Sequence, residues 1–203
     1  MRTPLCDLLG IEAPVVLAPM GGAVTPTFAA AVSNTGGLGM LPLSWTSPDE
    51  IASVVVETRQ QTERPFGVNL GLAWDQRERL EAVLAAGAPI VSFFWGDASS
   101  IIGEARDAGA IVFVTVGTAE EGRAAAAAGA DVVVAQGWEA GGHVWGTVST
   151  LALVPRVVDA VAPGLRLKLA AVSVPVHPPG TLLARLNVVA GQALLSLLLR
   201  LSV

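Results

Sequence analysis

The sequence lacks several of the residue patterns that define common kinds of functional site. Its 203 residues contain a single cysteine, Cys6, and only two histidines, His143 and His177. A single cysteine cannot form an internal disulfide, which favours a reducing compartment. No spacing of histidine, cysteine, aspartate or glutamate matches that of a metal site. The sequence therefore predicts neither a disulfide framework nor a metal centre.

Charged residues are scarce as well. They make up 14% of the chain, the formal net charge is −5, and the lysines and arginines are scattered singly. Binding to nucleic acid depends on clusters of lysine and arginine, so we expect no nucleic-acid partner.

Long uninterrupted apolar runs are also missing. Asp7 and Glu12 interrupt the N-terminal segment, where a signal peptide would need an apolar stretch. Arg185 and Arg200 interrupt the apolar segment at the other end, whereas a membrane-spanning helix needs about 20 predominantly apolar residues. We therefore expect a cytoplasmic protein without a membrane span.

Hydrophobic residues are abundant, at 52% of the chain, and suffice for the core of one domain. Short apolar runs alternate with longer helical segments, and each run is apolar on both faces, as in a parallel sheet covered by helices. The runs predicted as strands are 15–20, 37–41, 66–70, 89–95, 110–116 and 131–136. The predicted N-caps of the intervening helices are Thr25, Ser47, Asp75, Asp97 and Thr118. This repeat predicts an α/β fold, either a doubly wound sheet or a (β/α)8 TIM barrel.

All the tryptophans fall at or just past the carboxyl end of a predicted strand. In a barrel, the loops that follow the strands share one face, where active sites are built. Large aromatic side chains are also typical of ligand pockets. The pattern predicts that these residues line or roof a single mouth, or else cap the barrel core: Trp45, Trp74, Trp95, Trp138 and Trp145.

Three polar or glycine-rich elements stand at predicted strand ends: Ala18–Gly22 (APMGG), Asn69, and the segment QGWEAGGH from Gln136 to His143. No Walker A, dinucleotide-binding or serine-nucleophile motif accompanies them. Glycines allow a ligand to approach the backbone closely, and a histidine can act as acid or base near neutral pH. His143 is therefore either a catalytic group or a histidine bonded to backbone in a tight loop.

These residues resemble those of the nitronate monooxygenases, which are FMN-dependent (β/α)8 enzymes. The segments that carry the resemblance are LLGIEAPVVLAPMGG, AAAVSNTGGLGML, PFGVNL, AGADVVVAQGWEAGGHVWG and LVPRVVDAV, between about Leu8 and Val161. The resemblance implies that His143 acts as a base on a nitroalkane or holds the nitronate, and that O2 converts the nitronate to a carbonyl compound and nitrite. It also implies bound FMN, contacted by Ala18, Pro19, Met20, Gly21, Asn69, Gln136, Gly141 and Gly142.

The resemblance ends near Gly164. Residues 1–164 are predicted to form the barrel portion with the flavin and substrate site, and residues 165–203 a divergent apolar tail that replaces the last βα units. KLAAV, at 168–172, predicts the start of a seventh strand. The two glycine-containing turns that hold the FMN phosphate in the family do not appear in this tail, so the barrel is expected to be incomplete, with compromised activity. Two alternatives stay open: an FMN-dependent enoyl-acyl-carrier-protein reductase, and an inactive partial barrel that binds a partner or forms a homo-oligomer.

Overall fold

The computed structural model describes residues 2–161 in full and the backbone of residues 169–172 and 186–190. The helices are α1 (Pro4–Leu9), α2 (Pro26–Asn34), α3 (Pro48–Gln61), α4 (Arg77–Ala85), α5 (Ile102–Asp107), α6 (Ala119–Ala128) and α7 (Thr150–Val161). The strands are β1 (Val15–Leu17), β2 (Gly39–Pro42), β3 (Phe66–Gly71), β4 (Ile90–Phe94), β5 (Ile111–Val116), β6 (Val132–Ala135), β7 (Leu169–Val172) and β8 (Leu186–Ala190).

The six predicted strands are confirmed as β1 to β6, and each is followed by a helix. Neighbouring strands from β2 to β7 pair in parallel. All six residues of β3 are buried, because one face meets the interior of the barrel and the other meets the surrounding helices. Strands without a polar face are the expected result of this arrangement.

The sheet closes on itself, which decides between the two predicted architectures in favour of the barrel. The strand order is β1-β8-β7-β6-β5-β4-β3-β2. The two ends meet where the Leu17 amide donates to the Leu38 carbonyl at 2.9 Å and the Leu38 amide donates to the Val15 carbonyl at 2.9 Å. The carboxyl ends of β1 to β6 therefore surround one opening.

The last two strands depart from a regular TIM barrel. β7 falls on the KLAAV segment and confirms the seventh strand. β8, however, runs antiparallel to both β7 and β1, whereas all eight strands of a TIM barrel are parallel. The prediction of an incomplete barrel is thus confirmed, and the described residues form six βα units followed by two strands. The rest of the predicted tail, 165–203, lies outside the described residues.

Polar side chains mark several helix starts. Thr25 and Thr118 accept hydrogen bonds from backbone amides in the first turns of α2 and α6, and Ser47 stands at the N-cap of α3. The predictions for Asp75 and Asp97 were wrong, because each carboxylate instead accepts from the amide two residues ahead in a short turn before the helix. Among the helices of residues 2–161, none has both the length and the apolar character of a membrane span.

Gly39 allows α2 to lie directly against β2, and its replacement tests this packing. A Cβ atom at Gly39 would overlap the carbonyl oxygen of Ala29 and lie 2.7 Å from its carbonyl carbon. We expect Gly39→Ala to lower the free energy of unfolding by about 1–3 kcal/mol, since a packed backbone cannot move aside cheaply. Gly103→Ala, on the exposed face of α5 where a Cβ meets nothing within 4 Å, should be neutral or stabilising by about 0.5–1 kcal/mol. Chemical denaturation measures both variants, and equal midpoints would contradict the prediction.

Candidate active site

A cavity of about 850 Å³ opens at the carboxyl ends of the strands. Its size lies within the range of ligand pockets, about 300–1,000 Å³. The structure brings together here every site residue that the sequence predicted, from three separate segments of the chain. These lining residues are Ala18, Pro19, Met20, Gly21, Asn69, Gln136, Gly141, Gly142 and His143.

Asn69 is fixed in place at the base of this cavity. It lies on β3 beside Ser92 of β4 and is only 4% exposed. Its amide nitrogen donates to the Ser92 carbonyl and to the Ser92 hydroxyl, both at 3.2 Å. Two hydrogen bonds to a neighbouring strand hold the side chain in one orientation, which is what a ligand-binding amide requires.

The turn after β1 presents backbone to the cavity. The Met20 amide donates to the Ala18 carbonyl at 2.9 Å, which folds the chain tightly, and Gly22 follows with φ +73°. Gly142, in the segment after β6, has φ +80°. A Cβ atom at Gly22 or Gly142 would meet nothing within 4 Å. The absent side chains therefore leave open space beside the backbone in two places along the cavity wall.

Gln136 holds the loop that carries His143. Its Nε2 donates to the His143 carbonyl at 3.1 Å, and its Oε1 accepts from the Trp145 amide at 2.9 Å. Both polar ends of the amide thus bind the loop backbone. Gln136 lines the cavity as predicted, but its polar atoms fix the path of the loop.

Glu121, at the start of α6, is a second anchor of this loop that the sequence analysis missed. Its Oε2 accepts from the Gly117 amide at 2.7 Å and from the Trp145 indole nitrogen at 2.8 Å. Thr118 and Glu121 match the capping-box pattern, in which the glutamate returns to the N-cap amide. Here the Glu121 carboxylate accepts from Gly117, one residue before the N-cap, and from Trp145 in the loop. The sequence pattern therefore indicated a helix start but not the contact with the loop.

Glu139 joins the same loop to the start of α7. Its Oε1 accepts from the Thr150 amide at 2.7 Å. Burial raises the pKa of Glu139, but hydrogen bonds from backbone and from Thr150 outweigh burial and hold this pKa below its ordinary value. An ionised carboxylate at the amino end of a helix is also favoured by the helix dipole.

The His143 ring packs among aromatic side chains at the edge of the cavity. Its centroid lies 4.6 Å from that of Trp95, 6.0 Å from that of Trp45 and 6.2 Å from that of Phe94. Trp95 has φ +66°, a left-handed conformation that is an outlier for a bulky residue. The backbone therefore adopts an unfavourable conformation where it brings an indole ring against the histidine.

The prediction that the tryptophans line a single opening is confirmed only in part. Trp45 lines the cavity, and Trp74 packs against it with 5.3 Å between ring centroids. Trp138 and Trp145 are not among the lining residues. The Trp138 side chain is 59% exposed, and the Trp145 indole is directed to Glu121.

The chain belongs to the nitronate monooxygenase family. The family model described as "Nitronate monooxygenase" matches residues 2–78 and 70–194. The match continues beyond Val161, where the motifs quoted above end.

Several curated proteins are similar to this chain. A protein of Mycobacterium tuberculosis named "(3aS,4S,5R,7aS)-5-hydroxy-7a-methyl-1-oxo-octahydro-1H-indene-4-carboxyl-CoA dehydrogenase" is 40% identical over 163 residues, covering 80% of this chain and 46% of its own. A "Nitronate monooxygenase" of Pseudomonas aeruginosa is 37% identical over 176 residues, covering 67% of this chain and 50% of its own. Both names describe oxidoreductases. The chain spans about half the length of these relatives.

Solved structures agree with this assignment. FabK from Thermotoga maritima has a TM-score of 0.76 and 38% identity, covering 79% of this chain and 52% of its own. A nitroalkane oxidase from Streptomyces ansochromogenes has a TM-score of 0.69 and 32% identity, covering 78% of this chain and 58% of its own.

Removing the Glu121 carboxylate should loosen the His143 loop. Glu121→Ala leaves the Gly117 amide and the Trp145 indole without their acceptor, so we expect a loss of about 1–3 kcal/mol in the free energy of unfolding. We also expect faster amide hydrogen exchange at Gly117 and across 136–146. Glu121→Gln keeps an acceptor oxygen and should restore most of the protection.

Glu120→Ala is the matched control, because Glu120 is an exposed neighbour on the same helix. It should leave exchange in the loop unchanged. If Glu121→Ala and Glu120→Ala gave the same exchange pattern, the anchoring role of Glu121 would be wrong.

Proposed function

We propose that the protein is an FMN-dependent oxidoreductase that oxidises alkyl nitronates with O2 to carbonyl compounds and nitrite. In a balanced reaction, two nitronate anions and one O2 give two carbonyl compounds and two nitrite ions. The observation that carries the proposal is that the predicted site residues, from three separate segments, line one cavity together with His143. Membership of the nitronate monooxygenase family supports it.

The residues present fit the ring system of a flavin. The Ala18–Gly22 turn presents backbone, the Asn69 amide is held rigidly by Ser92, and open space lies beside Gly22 and Gly142. We assign the cofactor contacts to Ala18, Pro19, Met20, Gly21, Asn69, Gly141 and Gly142, with Gln136 acting chiefly through the loop. When bound, FMN supplies the electron acceptor for the oxidation.

The phosphate of FMN needs binding groups of its own, apart from those that contact the ring system. Within the described part of the chain, the cavity lining contains no lysine or arginine. In this proposal the phosphate is held by backbone N–H groups. The affinity for FMN is therefore the quantity that tests the proposal most directly. The division into a flavin and substrate unit, 1–164, and a tail, 165–203, is part of the same proposal.

His143 is the proposed catalytic residue. Its imidazole removes the α-proton of a nitroalkane, or holds the nitronate anion by hydrogen bonding. The packed rings of Trp95, Trp45 and Phe94 limit the positions that the imidazole can adopt. We place this enzyme in the cytoplasm, with the nitronate or nitroalkane and O2 as its small-molecule partners.

A second candidate is an oxidoreductase acting on an acyl thioester. The similarity to a protein named as a carboxyl-CoA dehydrogenase favours it. The alternative of an enoyl-acyl-carrier-protein reductase belongs to this class. Addition of reduced nicotinamide separates the candidates, because loss of the flavin absorbance under anaerobic conditions is expected of a reductase that takes hydride from nicotinamide.

Titration with FMN tests the proposal directly. We expect the purified protein to bind FMN and to release nitrite from alkyl nitronates in the presence of O2. A protein that stays colourless and fails to bind added FMN rules out the flavin reaction. Self-association without FMN binding would favour the inactive partial barrel.

Replacement of His143 separates chemistry from cofactor binding. We expect His143→Asn to bind FMN with nearly unchanged affinity and to lose about 10²–10⁴-fold in the rate of nitroalkane oxidation, the usual contribution of a general base. With preformed nitronate the loss should be smaller, because the proton has already been removed. Asn69→Ala should show the opposite pattern, with weakened FMN binding measured by flavin fluorescence. Unchanged nitroalkane oxidation in His143→Asn would exclude the catalytic role.

A further inference from the structure

Two exposed tryptophans form a continuous aromatic surface at the mouth of the cavity. Trp45 lines the cavity and is 56% exposed, and Trp74, 37% exposed, packs beside it. Trp45 also stacks on the His143 ring, with an interplanar angle of 30°. The rings of His143, Trp45 and Trp74 thus adjoin one another in that order.

The loops that carry these two rings are fixed to each other. The Ser44 hydroxyl, buried beside Trp45, accepts from the Gly71 amide at 2.8 Å. The buried Gln76 amide donates to the Ser44 carbonyl at 3.3 Å and to the Gly71 carbonyl at 2.9 Å. Arg79 donates to the Thr46 carbonyl at 2.8 Å. These bonds order both loops before any ligand binds, which reduces the entropy lost on binding.

Within the part of the chain that the structure describes, no aspartate, glutamate, lysine or arginine lines the cavity beside this surface. Exposed indole rings cost free energy in water and regain it by covering apolar surface. A substrate whose reacting group lies at His143 can extend over Trp45 and then Trp74. The apolar surface of these two indole rings suits an apolar chain.

We propose that Trp45 and Trp74 form a binding surface for the apolar tail of the substrate, and that the enzyme prefers nitronates with extended alkyl or ring substituents. The inference rests on the proposed function for the identity of the reacting group. The part of the inference that concerns the tail of the substrate is argued from the two tryptophans alone. Trp45 lies nearer to His143 and contacts the first part of the tail, and Trp74 contacts the part that follows.

A homologous series of nitronates tests the preference. The series consists of the nitronates of nitroethane, 1-nitrobutane and 1-nitrohexane. We expect kcat/KM to rise about twofold to fourfold for each added methylene group, mainly through a lower KM. Trp45→Ala should remove most of this dependence. Trp74→Ala should remove it only for the longest substrate. Trp138→Ala is the matched control, because that indole is exposed and does not line the cavity, and it should leave the dependence intact.

Binding of unreactive carboxylates gives a readout that does not require turnover. We expect hexanoate to change the tryptophan fluorescence of the isolated protein at lower concentration than acetate does, and this difference should disappear in Trp45→Ala. If nitronates are oxidised but kcat/KM is independent of chain length, the tail surface is wrong and the proposed function stands.

If no nitronate is oxidised but hexanoate still binds through Trp45, the proposed function fails and the apolar surface stands. Equal binding of hexanoate and acetate, unaffected by Trp45→Ala, overturns the tail surface whatever the activity. A change of oligomeric state in Trp45→Ala, without any effect on carboxylate binding, also overturns it and assigns these rings to an interface between copies of the chain.

Discussion

The two hydrogen bonds between β1 and Leu38 are the contact on which the site depends. They join the two ends of the sheet, so the turn after the first strand lies across the opening from the loop after the sixth. Without this closure, β1 and β2 would stand at opposite edges of an open sheet. Closure converts segments that are distant in sequence into the walls of one cavity, and it also removes the exposed strand edges of an open sheet.

A layer of polar side chains supports the residues that face the cavity. Gln136 and Glu121 bind the backbone and indole of the His143 loop, and Ser44 and Gln76 bind the loops that carry the exposed tryptophans. Each supporting group satisfies backbone donors or acceptors that would otherwise lack partners near the barrel opening. The His143 ring and the apolar surface are therefore held by residues that need not contact a ligand.

The strands and the gathering of site residues could be predicted because both follow from local pattern and topology. Apolar runs gave β1 to β6, and parallel strands place Asn69 and Gln136 at the same face. The orientation of the Gln136 amide could not be predicted, since the same group can bind a ligand or its own loop. The contact from Glu121 to Trp145 and the antiparallel β8 depend on residues far apart in sequence, which no local pattern specifies.

The left-handed backbone at Trp95 has a consequence for the motions of the site. A left-handed conformation costs a residue with a side chain about 1–2 kcal/mol, and the surrounding packing has to offset this cost in the native state. Local opening at the end of β4 would release this cost, which lowers the free energy of opening there by the same amount. Trp95 touches the His143 ring. Any opening of the barrel rim at Trp95 would therefore also free one side of the His143 ring.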